Sequence, residues 1–257
     1  NKILTFALGE LMEENFTIQA GDILIVRGKE LTSKLLALTQ KFFYLKNNAS
    51  HILIAISDGF YIHAIPEGGV QVIFIHDILH EFEDDWRTIR LKNLNEDNIE
   101  KLLKSVFYYK DQEYNYKYFT TQINASFCSE LAAKIYLRAG IKIFNFNSKF
   151  VKPSNFAKEA DKNENWEDIT SKTKEVYSFL KTMPNIELFK INFYYLMAGI
   201  SFKRQTRQKL HEIIFNAPDN IFSERLKEMY DEELKNITKK KNIPYWDDVY
   251  KKEDLAD

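Results

Sequence analysis

The chain has 257 residues, and its 45% share of apolar side chains excludes a disordered protein. Its 36 Lys and Arg residues nearly balance its 37 Asp and Glu residues, which argues against binding of nucleic acid or of an anionic membrane through bulk charge. The one cysteine, Cys128, excludes an intrachain disulfide and a zinc site made of several thiolates.

The first part of the chain mixes helical and strand patterns. Residues 3–16 are a helix candidate with apolar residues at mixed spacing, and an amphipathic pattern predicts a helix over 31–43. The β-branched run Ile23–Val26 between them predicts a strand. Three strand-like runs follow, joined by the turn residues Asp58-Gly59 and Pro66 to Gly69, and they predict an antiparallel meander. These runs cover residues 50–56, 60–65 and 70–75.

Beyond the meander, the pattern becomes mainly helical. A further strand is predicted at 87–91, a helix at 95–110, and a second helix at 128–138 that ends before Gly140, a typical C′ glycine. From about residue 155 the strand signals vanish, and we expect an α+β domain over residues 1–154 and a helical extension over 155–257. The helical stretches of that extension are 168–183, 187–202, 207–215 and 220–236.

No run reaches the roughly 18 apolar residues that a membrane-spanning helix needs. The longest candidate, 188–202, is interrupted by Lys190 and Asn192, so we expect no integral membrane segment. The chain begins with Asn1 rather than Met, which leaves open a cytoplasmic location and a secreted one with a removed signal peptide.

The two histidines of the meander, His51 and His63, depend on the register of the first hairpin. A two-residue loop would place them on opposite faces of the sheet, because side chains alternate along a strand. A three-residue loop of Ser57-Asp58-Gly59, with Gly59 in the left-handed conformation, places them on one face and leaves the other face wholly apolar. We favour this second register, which sets His63 across from Leu53 and diagonal to His51.

Cys128 lies in the first turn of its predicted helix. The positive end of the helix dipole and the unpaired N–H groups there favour the thiolate, which is the nucleophilic form. A nucleophilic cysteine also needs a histidine to take its proton and a polar group to orient that histidine. Cys128, His51 and His63 provide these three roles, and the N–H groups of the helix start can hold the oxyanion of a tetrahedral intermediate.

The order of several short motifs is familiar. They are Gly21-Asp22-Ile23-Leu24, Ser50-His51, Tyr61-Ile62-His63-Ala64 with Pro66 and Gly69-Val70, Tyr114-Asn115, Phe127-Cys128-Ser129-Glu130-Leu131 and Lys152-Pro153-Ser154. Together they resemble the circularly permuted branch of the NlpC-type papain-like cysteine hydrolases, which includes the bacterial YiiX-like proteins and the lecithin–retinol acyltransferase group. In this branch the His strand precedes the Cys helix, as it does here.

The resemblance covers roughly residues 20–156. It implies a permuted papain-like α+β fold, with an antiparallel sheet or small barrel packed on helices, and it implies no cofactor or metal. It also implies that Cys128 is the nucleophile, that His51 is the base and that His63 orients His51. A histidine at position 63 is similar to the pattern of the lipid-acting group, whereas YiiX-like members have a glutamate there. This difference leaves the substrate class open but does not affect the triad.

Other polar and aromatic clusters have simpler interpretations. His76 and His80, with Asp77 and Glu81, have the spacing of a metal site on one helix face. No third ligand residue follows at a spacing typical of such a site, so a solvated helix is favoured. The basic clusters at Lys203-Arg204 and 239–241 are interpreted as solvated faces. The aromatic run from Phe107 to Phe119 is interpreted mainly as core, with part of it lining the substrate cleft.

Three functions follow from these observations. The first is a cysteine hydrolase that cleaves a peptide or isopeptide amide bond through an acyl-enzyme. The second keeps the thiol but acts on a lipid ester or thioester, as a lipid acyl hydrolase or acyltransferase. The third is an inactive papain-like module whose helical extension binds a protein partner or covers the cleft.

Overall fold

The computed structural model describes residues 16–27, 51–82, 84–118, 120, 122, 124–162, 164–216, 224–229 and 232. The predicted helix over 31–43 lies outside these residues, and so do all of the helix over 3–16 except Phe16 and most of the helix over 220–236, although residues 224–229 are helical.

Eight strands and six α-helices of known bounds make up most of the described chain, in addition to the helical residues 224–229. The strands are β1 (Ile23–Val26), β2 (His51–Ser57), β3 (Phe60–Ile65), β4 (Gly69–Phe74), β5 (Arg87–Leu91), β6 (Glu113–Tyr114), β7 (Ala125–Ser126) and β8 (Trp166–Asp168). The helices are α1 (Ile75–Ile78), α2 (Glu96–Tyr109), α3 (Cys128–Arg138), α4 (Pro153–Lys162), α5 (Thr170–Thr182) and α6 (Ile186–Phe215), with 3-10 turns at Leu79–Glu81 and Ser148–Phe150.

Six strands form an open antiparallel sheet in the order β4-β3-β2-β1-β5-β8. The predicted meander is therefore confirmed, and so are the strands at Ile23–Val26 and Arg87–Leu91. The central strands are buried along nearly their whole length, because helices pack on the sheet. Sheet and helices together give the predicted α+β class, and of the two predicted forms the structure has the open sheet rather than the barrel.

The predicted register of the first hairpin is confirmed. Ile54 pairs with Ile62 and Ala55 pairs with Tyr61, which is the register of the three-residue loop. At the tip, however, Ser57 pairs with Phe60, so the turn itself is Asp58-Gly59 and the extra residue is a bulge between Ala55 and Ser57. Gly59 has a φ of +77°, as the prediction required.

A buried ion pair joins Asp22, the residue before β1, to Arg90 of β5. Arg90 donates to both carboxylate oxygens of Asp22, at 2.8 and 2.6 Å, and the N–H of Gln19 donates to the same carboxylate at 3.0 Å. Asp22 is almost fully buried, and this burial raises the pKa of its carboxyl group although Arg90 acts in the opposite direction. We assign Asp22 a structural role at the base of the sheet.

The helices that flank the sheet begin and end close to the predicted residues. Asn95 accepts the N–H of Asn98 at 2.8 Å in a capping box that starts α2. Helix α3 spans the predicted residues, and Gly140 follows its end with a φ of +79°. Helix α5 buries Val176, Tyr177 and Leu180 in the core.

Two short pairings escaped the sequence analysis. Strand β8 pairs with β5 through Leu91 and Trp166, in a stretch where the sequence pattern indicated only helices. Strands β6 and β7 form a separate parallel pair that joins Tyr114 to Ser126, just before α3. Strands β6, β7 and β8 have only two or three residues each, which is too few to produce an alternating pattern.

The chain divides into two compact units, residues 1–186 and 187–257. Helix α4, strand β8 and helix α5 belong to the first of these units. In the second unit, residues 187–202 and 207–215 belong to one continuous helix rather than two, because the polar residues between them include no glycine or proline that would end it. None of the described helices combines the length and apolarity that crossing a membrane requires.

Candidate active site

His51 and His63 form a buried pair on one face of the sheet. The Nε2 atom of His51 lies 3.1 Å from the Nδ1 atom of His63, and the ring centroids are 5.3 Å apart in an edge-to-face arrangement. The side chain of His51 is 5% exposed and that of His63 is 3% exposed. Because Nε2 of His51 is engaged by His63, only Nδ1 of His51 can serve as a base toward a third group.

The thiol of Cys128 lies at the start of α3, beside the first residues of β2. The backbone N–H groups of Ile52, Ser129 and Cys128 itself lie near enough to the sulfur to lower the pKa of the thiol. Ile52 directly follows His51 along β2, so the helix start and the strand start bring the sulfur to the strand residue next to the histidine. Helix α3 packs on both β2 and β3.

Burial decides the charge state of these groups. It raises the pKa of the Cys128 thiol to about 11, a larger effect than that of the N–H groups, because the side chain is only 1% exposed. It also lowers the pKa of His51 to about 4, and it lowers that of His63 well below its ordinary value, with the nearby His51 adding to the effect. The N–H groups at the helix start act toward the thiolate, as expected, but burial acts more strongly in the opposite direction, so the thiol and both imidazoles are neutral at pH 7.

Two tyrosines, Tyr114 and Tyr118, lie within electrostatic range of the sulfur, and a third, Tyr116, packs against Tyr114. The hydroxyl groups of Tyr114 and Tyr118 lie 2.8 Å apart, and the charged form of Cys128 raises the pKa of both. For Tyr114 the largest cause of the raised pKa is burial. Tyr116 packs edge-to-face against Tyr114 at 5.1 Å, is 65% exposed, and donates its hydroxyl to the carbonyl of Pro66 at 2.6 Å. This part of the predicted aromatic run thus lies at the site rather than only in the core.

Residues 17–182 match the family model described as a permuted papain-like amidase enzyme, YaeF/YiiX, C92 family. The chain belongs to this family. The match covers most of the first compact unit, including every element that positions Cys128, His51 and His63. Comparisons with curated proteins and with solved structures gave no match.

In this C92 family member, a buried polar network holds the start of α3 in place. Glu130 is completely buried, and one of its carboxylate oxygens accepts the N–H of Phe127 at 3.3 Å and the amide of Asn115 at 3.1 Å. Its other oxygen lies 2.8 Å from the Nζ atom of Lys134, one helical turn further on. Lys134 also donates to the carbonyl of Ala125 at 2.9 Å. The network therefore ties β6, β7 and α3 together around Cys128.

The two other histidines whose spacing was considered for a metal site, His76 and His80, lie in different elements. His76 belongs to α1 and His80 to the following 3-10 turn, and the ring of His76 packs against Phe74 and Tyr177. Within the described ranges, no group of three His, Cys, Asp or Glu residues is arranged to hold a metal ion. Of the basic clusters, 239–241 lies outside the described residues, and Lys203 is exposed.

Sequence reasoning missed Gln71 and underestimated Glu130. Gln71 pairs directly with His63 across β3 and β4, and its amide nitrogen lies 3.4 Å from Nε2 of His63. The register of β3 with β4 is the signal that points to Gln71, because the residue directly opposite His63 is the nearest cross-strand neighbour of that histidine. Glu130 stands at the third position of α3 and accepts the N–H of the N-cap residue Phe127, which is one half of a capping box; phenylalanine has no side-chain acceptor for the other half.

Proposed function

We propose that the protein is a cysteine amidase that cleaves a peptide or isopeptide bond with Cys128 as nucleophile, His51 as base and His63 as the group that orients His51. The observation that carries the proposal is the 3.1 Å contact between His51 Nε2 and His63 Nδ1, one residue along β2 from Ile52, whose N–H lies near enough to the Cys128 sulfur to lower the pKa of the thiol. Membership of a permuted papain-like amidase family supports the amide as the bond attacked.

The reaction starts from neutral groups. As the sulfur of Cys128 attacks the carbonyl carbon of the substrate, its proton passes to Nδ1 of His51, and the carbonyl oxygen becomes an oxyanion. The bond between carbon and nitrogen then breaks, the proton passes from His51 to the leaving amine, and a thioester remains on Cys128. Water attacks this thioester, gives a proton to His51, and releases the acid as the sulfur regains its proton.

Two kinds of donor are available to the oxyanion. The backbone N–H groups of Cys128 and Ser129 lie near the sulfur at the start of α3, where the helix dipole also favours negative charge. The Tyr114 hydroxyl is within electrostatic range of the sulfur, and its raised pKa keeps it a neutral donor at pH 7. We assign both to the stabilisation of the tetrahedral intermediate.

The positive charge that forms on His51 explains the need for His63. Burying a charged imidazolium without a partner costs free energy, and this is why the pKa of His51 is low. A hydrogen bond from His51 Nε2–H to a neutral His63 becomes stronger when His51 is protonated, because it is then charge-assisted. His63 thus stabilises the transition state more than the resting state.

Comparison of the wild-type protein with the variants Cys128→Ala, His51→Ala and the control His80→Ala tests the proposal. His80 is an exposed histidine outside the site. Turnover is measured on a library of peptidyl-aminocoumarin amides, and acylation by 4-nitrophenyl acetate is measured by intact mass. We expect Cys128→Ala to lose both activities, His51→Ala to lose at least about 100-fold in turnover, and His80→Ala to keep both.

The chain has a single cysteine, so an acetyl group on sulfur identifies Cys128 directly. Circular dichroism and thermal melting establish that each variant is folded. Wild-type turnover in Cys128→Ala would exclude the mechanism. A folded wild-type protein that neither turns over any amide nor is acylated would favour the inactive binding module instead.

A lipid acyl group is the second candidate substrate. The observations that favour it are a histidine at position 63 and the aromatic surface formed by Tyr114, Tyr116 and Tyr118 beside the thiol. Phosphatidylcholine vesicles separate the two candidates, because a lipid acyl hydrolase releases fatty acid and carries a long acyl chain on Cys128. Fatty-acid release that Cys128→Ala abolishes, without cleavage of any amide, would replace the amidase proposal.

A further inference from the structure

Three side chains form a continuous row across β2, β3 and β4. His51 contacts Nδ1 of His63, and Gln71 contacts Nε2 of the same ring. Both ring nitrogens of His63 therefore have a neighbour, and the order of donors and acceptors along the row is constrained. Gln71 lies directly opposite His63 in the pairing of β3 with β4, so the backbone register fixes its position.

A count of protons gives two possible orders for the row. A neutral imidazole has one N–H, and both imidazoles are neutral at pH 7 because burial lowers the pKa of each. If the amide nitrogen of Gln71 donates to His63, the proton of His63 must lie on Nδ1 and point at His51. His51 must then hold its own proton on Nδ1, where it cannot accept a proton from Cys128.

The opposite order arises when the amide oxygen of Gln71 faces His63. A half-turn of the amide exchanges its nitrogen and oxygen without moving the rest of the side chain. His63 then donates from Nε2 to Gln71 and accepts at Nδ1 from His51, which leaves a lone pair on Nδ1 of His51. The two orientations occupy nearly the same volume, because an amide nitrogen and an amide oxygen are similar in size.

We propose that Gln71 is a positioning residue that accepts a hydrogen bond from His63 and thereby selects the tautomer in which His51 is a base. The inference rests on the proposed function of His51. The contact of 3.4 Å between two nitrogens is at the long end for a hydrogen bond. An amide oxygen in that place completes an unbroken chain of donors from His51 through His63 to Gln71.

The test compares Gln71→Leu, Gln71→Glu and the control Gln205→Leu in the full chain. Leucine removes both donor and acceptor, glutamate keeps only acceptors, and Gln205 is exposed on α6, in the other compact unit. Long-range nitrogen–proton NMR correlations on protein with ¹⁵N-labelled histidine give the tautomer of each ring at pH 7. Variants of His51 and His63 assign the signals.

We expect the Nε2–H tautomer for both His51 and His63 in the wild-type protein, in Gln71→Glu and in Gln205→Leu. In Gln71→Leu we expect mixed tautomers. The rate of acylation by saturating 4-nitrophenyl acetate should fall at least about tenfold in Gln71→Leu, with the half-saturating concentration unchanged. In Gln71→Glu the rate should be retained, with its acid limb shifted to higher pH because a carboxylate favours protonated His63.

An Nδ1–H tautomer on His51 in the wild-type protein, or tautomers unchanged by Gln71→Leu, would overturn the role of Gln71. Loss of acylation in Gln71→Glu equal to that in Gln71→Leu would do the same, because it would make the amide N–H the essential group. The proposed function fails separately: wild-type protein with the expected tautomers but no acyl group on Cys128 would contradict the hydrolase and leave the tautomer assignment standing.

Discussion

His51 and His63 share one hydrogen bond in a place where neither imidazole readily carries a charge. The ordinary pKa of a histidine is about 6.5, and burial lowers that of His51 to about 4 in the folded protein. The unfolded chain therefore takes up a proton on His51 at a pH where the folded protein does not. The free energy of unfolding must fall as the pH drops from 6.5 toward 4.

We predict that this histidine alone reduces the free energy of unfolding by about 2 kcal/mol between pH 7 and pH 5. His63 acts in the same direction, since its pKa is also lowered. Asp58 acts in the opposite direction, because burial raises its pKa to about 6 and the fold prefers its neutral form. Urea denaturation at the two pH values measures the net effect.

The variant His51→Gln isolates the contribution of His51, because Asp58 is unchanged in it. Its loss of stability between pH 7 and pH 5 should be smaller than that of the wild-type protein by about 2 kcal/mol. An equal loss in both proteins would show that His51 is not held neutral by the fold.

The second prediction concerns the protonation state of the Cys128 thiol. Because burial raises its pKa to about 11, the thiol should react slowly with iodoacetamide at pH 7, and the rate should rise steadily up to about pH 11. An ion pair of thiolate and imidazolium would instead give a reactivity that is already high at pH 5 to 8. Alkylation rates measured by intact mass from pH 5 to pH 10.5 distinguish the two profiles.

Short-range sequence patterns predicted the strands and the helix start that carry His51, His63 and Cys128. The alternation of apolar residues along residues 51–65 was sufficient to choose the hairpin register, because only one register makes a fully apolar face. The position of Cys128 at a helix start followed from local patterning in the same way. These features depend on residues that are close in sequence.

Features that depend on distant residues could not be read from the sequence in the same way. The pairing of Trp166 with Leu91 joins segments far apart in the chain, and the burial of Cys128 depends on everything packed around it. The local helix start indicated a lowered thiol pKa, while tertiary burial raises it. The register of β3 and β4 places Gln71 opposite His63, but no local pattern shows that its amide reaches the imidazole ring.

Glu130 allows a third prediction, because its carboxylate is completely buried and ion-paired with Lys134. Removing one partner leaves the other charge buried without its counterion, so Glu130→Ala should lower the free energy of unfolding by about 3 to 5 kcal/mol. Glu130→Gln keeps an oxygen for the N–H of Phe127 and should cost less. Urea denaturation of the two variants measures both values.

The exposed pair of Glu100 and Lys104 on α2 is the control for this prediction, since the two residues have the same spacing but Glu100 is largely exposed. Glu100→Ala should change stability by less than about 1 kcal/mol. Similar costs for Glu130→Ala and Glu100→Ala would mean that the network around α3 contributes little.

Gly69 provides the fourth prediction, since it lies where β4 comes closest to the chain leading into β6. Its φ is +68°, and a Cβ atom there would lie 2.2 Å from the carbonyl oxygen of Gln112, which accepts the N–H of Val70 at 2.7 Å. Gly69→Ala therefore combines a strained backbone with a collision against another backbone, and we expect a cost of about 3 kcal/mol or more.

Gly140→Ala separates the two causes. Gly140 has a similar φ of +79°, but a Cβ atom there would meet nothing within 4 Å. This control should cost only about 1 kcal/mol, the strain of the left-handed conformation alone. Denaturation of both variants at pH 7 gives the difference, which measures how tightly β4 is held against Gln112. If the two variants were equally stable, β4 would be able to move away from Gln112, and the position of Gln71 opposite His63 would not be fixed by this contact.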